Sequence, residues 1–245
     1  MLHRCPPPGG HRSPGFCVNL GFFEKGKKLE RIYGFIDGFN FYHALDENPA
    51  YHKYKWLNYR KLLEVVIKRH KFQFNRTYQI NKIFYFSAYP YWMPDKVHRH
   101  KIYVKILQTA NVEFIQGKFK RRDKHLKVKC NKCGHCFPYH YIYHEEKQTD
   151  VNIVVKLFEC AYKNEFDTAV LISGDADLTP AIQTIKQLFP QKKIGLIIPI
   201  GRKAEELKRV VDFSFKVKEK DLSLSQFPDV VQVGKRTFTR PSHYR

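Results

Sequence analysis

The stretch "FDTAVLISGDADLTPAIQTIKQLFPQKKIGLIIPI", residues 166–200, alternates two patterns. "TAVLIS" (168–173) and "KKIGLIIPI" (192–200) are near-continuous apolar runs of strand length. "LTPAIQTIKQLF" (178–189), between them, spaces its apolar residues as a helix does. A strand that is apolar at nearly every position has both faces covered, the condition of a parallel sheet held between two layers of helices. The stretch therefore reads as one strand-helix-strand unit of an α/β domain. In such sheets ligands bind beyond the carboxyl ends of the strands, where this unit carries Asp175 and Asp177.

The alternation extends outward on the amino-terminal side. "RIYGFID" (31–37) is a first strand ending in Asp37, and "NYRKLLEVVIKRH" (58–70) is an amphipathic helix with Tyr59, Leu62, Leu63, Val66 and Ile67 on one stripe. A second strand, "INKIFYFSAY" (80–89), precedes a helix over 94–110 that opens on Pro94, and "NVEFIQGKF" (111–119) is a third strand. Helices are expected over 145–164 and 203–211. These elements predict one doubly wound, mainly parallel α/β domain over residues 29–226, with an insertion at 119–144. Residues 1–28 hold prolines and glycines but no apolar core ending in a cleavage site, so they read as a disordered extension, of the kind an upstream start codon would add, and not as a signal peptide. Residues 227–245, basic and containing proline, read as a loosely packed tail.

Lys and Arg number 44 against 23 Asp and Glu, a formal net charge of +21, which calls for a polyanionic partner and first of all for RNA. The sequence offers neither an apolar run of membrane-spanning length nor a basic helix with a bulky apolar face, so no membrane partner is expected. Lys96, Arg99 and Lys101 on the helix over 94–110, and Lys118, Lys120, Arg121, Arg122 and Lys124 beyond it, are the candidate RNA contacts. Three of the six cysteines crowd into "CNKCGHC" (130–136), a metal knuckle more than a disulfide framework, pointing to a reducing, cytoplasmic setting.

Against this positive background the carboxylates stand out. Asp37, Asp175 and Asp177 all follow strands. In the helix expected over 145–164, Asp150 lies one turn before a buried stripe of Val154, Leu157, Phe158 and Ala161, with Glu146 on the same face. Two like charges at ~4 Å repel by about 4 kcal/mol at intermediate dielectric, so such a gathering implies a cation between them. Hard oxygen donors suit Mg²⁺ or Mn²⁺. Singly, Asp177 also suits a helix cap and Asp175 a turn. Asp175, Asp177 and Thr179 further resemble the D-x-D-x-T pattern of haloacid dehalogenase phosphatases, but that likeness covers five residues and leaves Asp37 and Asp150 unused.

Taken together, "YGFIDGFNFY" (33–42), "EEKQTDVNIVVKL" (145–157), "FDTAVLISGDADLTPAI" (166–182) and "KKIGLIIPIGR" (192–202) resemble the NYN domain family of PIN-like nucleases, in family order and over most of the chain. The resemblance implies a three-layer α/β/α PIN-like fold and Mg²⁺- or Mn²⁺-dependent endonucleolytic cleavage of RNA. It puts the family's acidic quartet on Asp37, Asp150, Asp175 and Asp177, with Asn40, Glu146 and Ser173 also matching. Asp37, Asp175 and Asp177 are then expected to ligate metal, Asp150 to ligate or to activate water, and Asn40 to orient Asp37 or the phosphate. A non-catalytic RNA-binding adaptor and a phosphatase are the competing functions.

Within the insertion, Cys130 and Cys133 have the C-x-x-C spacing of a zinc knuckle, with Gly134 easing the turn. Cys136 is expected as a third ligand and His144, or else His140, as the fourth, making a structural zinc clamp that presents the basic run beside the active site. A homodimer and a regulatory partner are both compatible with the sequence.

Overall fold

The computed structural model describes residues 29–75 and 77–244, so the reading of residues 1–28, with Cys5 and Cys17, lies outside the described residues. In chain order the elements begin with β1 (Glu30–Asp37), α1 (Gly38–Asp46), α2 (Tyr59–Arg69), β2 (Tyr78–Ser87), α3 (Pro94–Thr109) and β3 (Val112–Gln116). A long hairpin follows, β4 (Lys118–Lys129) and β5 (Cys136–Lys147), then α4 (Thr149–Tyr162), β6 (Thr168–Ile172), α5 (Thr179–Leu188) and β7 (Lys193–Ile198). The chain ends in α6 (Glu205–Val210), β8 (Phe213–Lys216), α7 (Glu219–Leu224), β9 (Val230–Val233) and β10 (Arg236–Thr239).

Six strands form one sheet in the order β3-β2-β1-β6-β7-β8, every pair parallel. From β1 the chain steps one way through β2 to β3, returns, and steps the other way from β6 through β7 to β8. The loops leaving β1 and β6 therefore diverge, and the crevice between their carboxyl ends is the switch point at which sheets of this kind bind ligands.

Strand alternation sorts the core into two layers. Ile32 and Ile36 of β1, Ile83 and Tyr85 of β2, and Val170 and Ile172 of β6 pack with the stripe of α2 and with Val104 and Leu107 of α3. Phe35, Phe84, Phe86, Ala169 and Leu171, on the opposite face, pack with Ile153 and Leu157 of α4, with Ile182 and Ile185 of α5 and with Leu207 of α6. This is the expected three-layer α/β/α arrangement. Each such fully buried side chain contributes roughly 1.5–3 kcal/mol, which is why the apolar runs were legible.

Three expectations change. The helix expected from 145 begins at Thr149, because residues 145–147 complete β5. Its buried stripe is Ile153, Leu157, Cys160 and Ala161, one residue round from the expected one, while Phe158 is exposed. The insertion runs from Lys118 to Lys147 as a two-stranded ribbon paired along its whole length. The tail is not loose among its described residues: Trp56 Nε1 donates to the Pro228 carbonyl at 2.9 Å, and Val231, Val233 and Phe238 of the β9–β10 hairpin pack against the core.

Candidate metal centre

Asp37 is the last residue of β1 and only 2% exposed. The register pairs Ile36 with Ile172, so the next residue of each chain, Asp37 and Ser173, lie side by side. Ser173 Oγ donates to Asp37 Oδ2 at 2.8 Å and accepts from the Asp175 backbone N–H at 3.1 Å. The other oxygen, Asp37 Oδ1, accepts from the Asn40 backbone N–H at 2.9 Å and so caps α1. Asn40 Oδ1 in turn accepts from the Gly174 N–H at 2.9 Å, tying the β1 turn to the β6 turn across the crevice. Gly38 is required here because a Cβ would lie 2.4 Å from the Tyr85 ring and 2.7 Å from the Phe86 carbonyl oxygen.

Asp175 Oδ1 accepts from the Asp177 N–H at 3.0 Å, a cap on the short 3-10 turn Ala176–Leu178. Asp150 stands in the first turn of α4. Carboxylate oxygens of Asp37, Asp150 and Asp175 all lie within 4.8 Å of one another, the one such group of potential ligands among the described residues. Asp177 stands outside that group and is exposed. Glu146 is not on the helix face: it ends β5 and accepts from the Thr149 N–H at 3.2 Å and from the Thr149 hydroxyl, closing the start of α4.

The electrostatics fit a cation. Burial, with lesser contributions from Asp150 and Asp175, pushes the Asp37 carboxyl up to about 7, against the pull of its Asn40 and Ser173 hydrogen bonds. Burial and then the charges of Asp175, Glu146 and Asp177 push Asp150 up to about 6. Hard carboxylate oxygens converging from three segments are the donor set that Mg²⁺ or Mn²⁺ takes.

The basic residues divide. Lys118, Lys120, Arg121 and Lys124 are exposed on β4, while Arg122 pairs with Glu145 at 3.0 Å. Lys96 and Lys101 are exposed on α3, with Lys101 Nζ 5.7 Å from the Tyr89 ring centre, and Arg99 is half-buried.

At the ribbon tip the amides of Cys133 and Lys132 and the Cys133 thiol hold the Cys130 thiol below its ordinary range, as in a metal knuckle. The expected fourth ligand is not there. His144 lies eight residues along β5 from Cys136, roughly 26 Å at strand rise, and its ring stacks on Trp92 at 3.6 Å. His140 stacks on His125 at 4.4 Å and meets Asp123, and the three cysteines do not form a common ligand group. A period-two strand separates what a loop could have gathered.

Residues passed over in the sequence also border the centre. Arg202 lies against Gly174, where a Cβ would meet Arg202 Cβ at 3.0 Å, and its Nη2 donates to Glu47 at 2.7 Å. Phe39 packs on Phe119, and Phe119 on Trp92, at 5.4 and 4.7 Å, seating the ribbon root on α1. Arg202 and Phe39 lie inside the matched segments 192–202 and 33–42, and Phe119 ends the strand expected over 111–119, but nothing in their spacing singled them out.

Residues 31–217 match the NYN domain. The chain belongs to the NYN domain family. NYN domains are PIN-like, are generally nucleases that use divalent metals, and generally bind RNA. This NYN chain is 27% identical over 242 residues to a protein named 6-hydroxy-3-succinoylpyridine 3-monooxygenase from Pseudomonas putida, covering 87% of this chain and 75% of that one. A crystal structure of a protein of unknown function from Vibrio parahaemolyticus shares the fold, with a TM-score of 0.50 and 17% identity over 80% of this chain and 97% of that one. No helix among the described residues is long and apolar enough to cross a membrane.

Proposed function

We propose that this NYN protein is a divalent-metal-dependent endoribonuclease acting in the cytoplasm. The observation that carries the reading is the convergence of Asp37, Asp150 and Asp175 within 4.8 Å at the switch point of the sheet. These three would hold Mg²⁺ or Mn²⁺, with exposed Asp177 at the rim. Such an ion, when bound, would supply an activated water and neutralise charge on the phosphate oxygens. The Ser173 hydroxyl and the Asn40 backbone amide hold the Asp37 carboxylate, while Ser173 Oγ and Asn40 Oδ1 accept from the backbone amides of Asp175 and Gly174, so the turn that carries Asp175 is fixed before RNA arrives. Glu146 fixes the first turn of α4 and so the position of Asp150. The exposed lysines and arginines of α3 and β4 gather the phosphate backbone by counterion release. A phosphatase reading of Asp175 and Asp177 has no use for Asp37 or Asp150, which stand against Asp175 in the fold.

The test is cleavage of single-stranded and structured RNA with Mg²⁺, with Mn²⁺ and with EDTA. Asp175→Asn is expected to lower metal-dependent cleavage roughly a hundredfold or more. Equal, metal-independent cleavage by wild type and variant would remove the nuclease reading, and RNA binding without cleavage would favour an adaptor. Incubation with 6-hydroxy-3-succinoylpyridine is the control for the reaction in the relative's name: turnover of that compound with RNA left intact would replace the proposal.

A further inference from the structure

The ribbon leaves the sheet after β3, at Gly117, on the same carboxyl edge as Asp37 and two strand spacings, about 10 Å, from β1. None of its residues belongs to either core layer. Paired residues of an antiparallel ribbon share a face. Arg122 pairs with Tyr143 and Lys124 with Tyr141, so these four lie on one face, joined by Lys120 and by Tyr139 two residues along their strands. The rings of Tyr139, Tyr141 and Tyr143 follow one another at 5.9 Å each, and Lys124 Nζ lies 5.8 Å from the Tyr143 ring centre. Tyr139 is 51% and Tyr143 37% exposed, with Tyr141 half-buried between them.

A two-stranded ribbon is marginal by itself, and one that keeps a row of rings in water forgoes the burial a strand normally gains. Something is expected to cover that row. Residues 118–147 carry nine Lys and Arg against three Asp and Glu, so two copies laid face to face would repel while a polyanion is attracted. Rings interleaved with cations suit unpaired bases, whose faces stack on the rings while their phosphates meet the cations. A duplex hides its base faces and offers the ribbon phosphates alone.

We propose that the Tyr139-Tyr141-Tyr143 face of the ribbon, which leads away from the sheet edge that carries the carboxylate centre, is a stacking platform that grips an unpaired segment of RNA. The identity of the polyanion as RNA rests on the nuclease reading; the stacking face does not depend on cleavage. The test is therefore read in EDTA. Anisotropy of a short labelled RNA, alone and annealed to its complement, is measured with the full chain, with the Tyr139→Ala, Tyr141→Ala, Tyr143→Ala triple variant and with the corresponding Phe triple. The single strand is expected to bind at least about tenfold tighter than the duplex, and the Ala triple to lose at least that much on the single strand alone. The Phe triple, which keeps the rings, retains wild-type affinity and answers the question even if the Ala triple misfolds. Equal affinity for both RNAs, an Ala triple within about twofold of wild type, or a Phe triple that loses affinity overturns the proposal. So does a dimer in sedimentation that the Ala triple dissolves without a change in RNA affinity, since a second copy would then cover the rings.

Discussion

Asp37 is a buried acid whose ionisation the fold opposes. A carboxyl that titrates higher folded than unfolded holds its proton more firmly in the folded state, so stability is full below the ordinary 3.8 and is lost as pH rises to about 7. Asp150 acts in the same direction up to about 6. The metal-free protein is therefore expected to be less stable at about pH 8 than at about pH 5, by on the order of a few kcal/mol, and to melt at a lower temperature there. Mn²⁺, which binds the ionised form, is expected to restore more stability at the higher pH. Asp37→Asn keeps an acceptor for the Asn40 amide but removes the charge, so it is expected to flatten the pH profile and raise metal-free stability at about pH 8 while abolishing cleavage. Thermal melts in EDTA and in Mn²⁺ check both; a midpoint that climbs from pH 5 to pH 8 without metal contradicts them. The placement of Asp37, Asp150 and Asp175 was legible in the sequence because each ends a strand or opens a helix. The exposed position of Asp177 was not, since immediately after Asp175 the chain enters a 3-10 turn that no apolar spacing foretells.

Among the elements, those whose burial is two-sided were the readable ones. β1, β6 and β7 are apolar at nearly every position because helices cover both faces. β5 was misread for the opposite reason: neither of its faces joins the core layers, so its alternating tyrosines mark no buried face, and "EEKQTD" imitates a helix start. α1 went unrecognised because its nine residues offer only a short stripe, Phe41, Ala44 and Leu45, behind the Asp37 cap. The ribbon also bears on the zinc expectation. With His144 on the Trp92 ring and the cysteines at the far tip, untagged protein is expected to carry less than about half an equivalent of zinc, unchanged by Cys130→Ser. Stoichiometric zinc lost in that variant would mean that the tip rearranges around the ion.

For the whole molecule, the net charge of +21 sets how tightly any polyanion is held. RNA affinity is expected to fall steeply with salt, the logarithmic slope growing by about 0.7 for each single-strand phosphate neutralised, and to flatten by roughly 1.4 when Lys120 and Lys124 are both changed to Ala. Titrations at several salt concentrations measure this, and an unchanged slope would take those lysines out of the contact. The topology has a consequence of another kind. Asp37 and Ser173, which carry the central hydrogen bond, are 136 residues apart, and the bond forms only when β6 pairs with β1. A nascent chain leaving the ribosome with its first 150 residues exposed, surrounded by ribosomal and messenger RNA, lacks Asp175 and the strand that positions it. The order of synthesis thus withholds the carboxylate centre until β6 and the turn through Asp175 have been made, a delay written into the sheet itself.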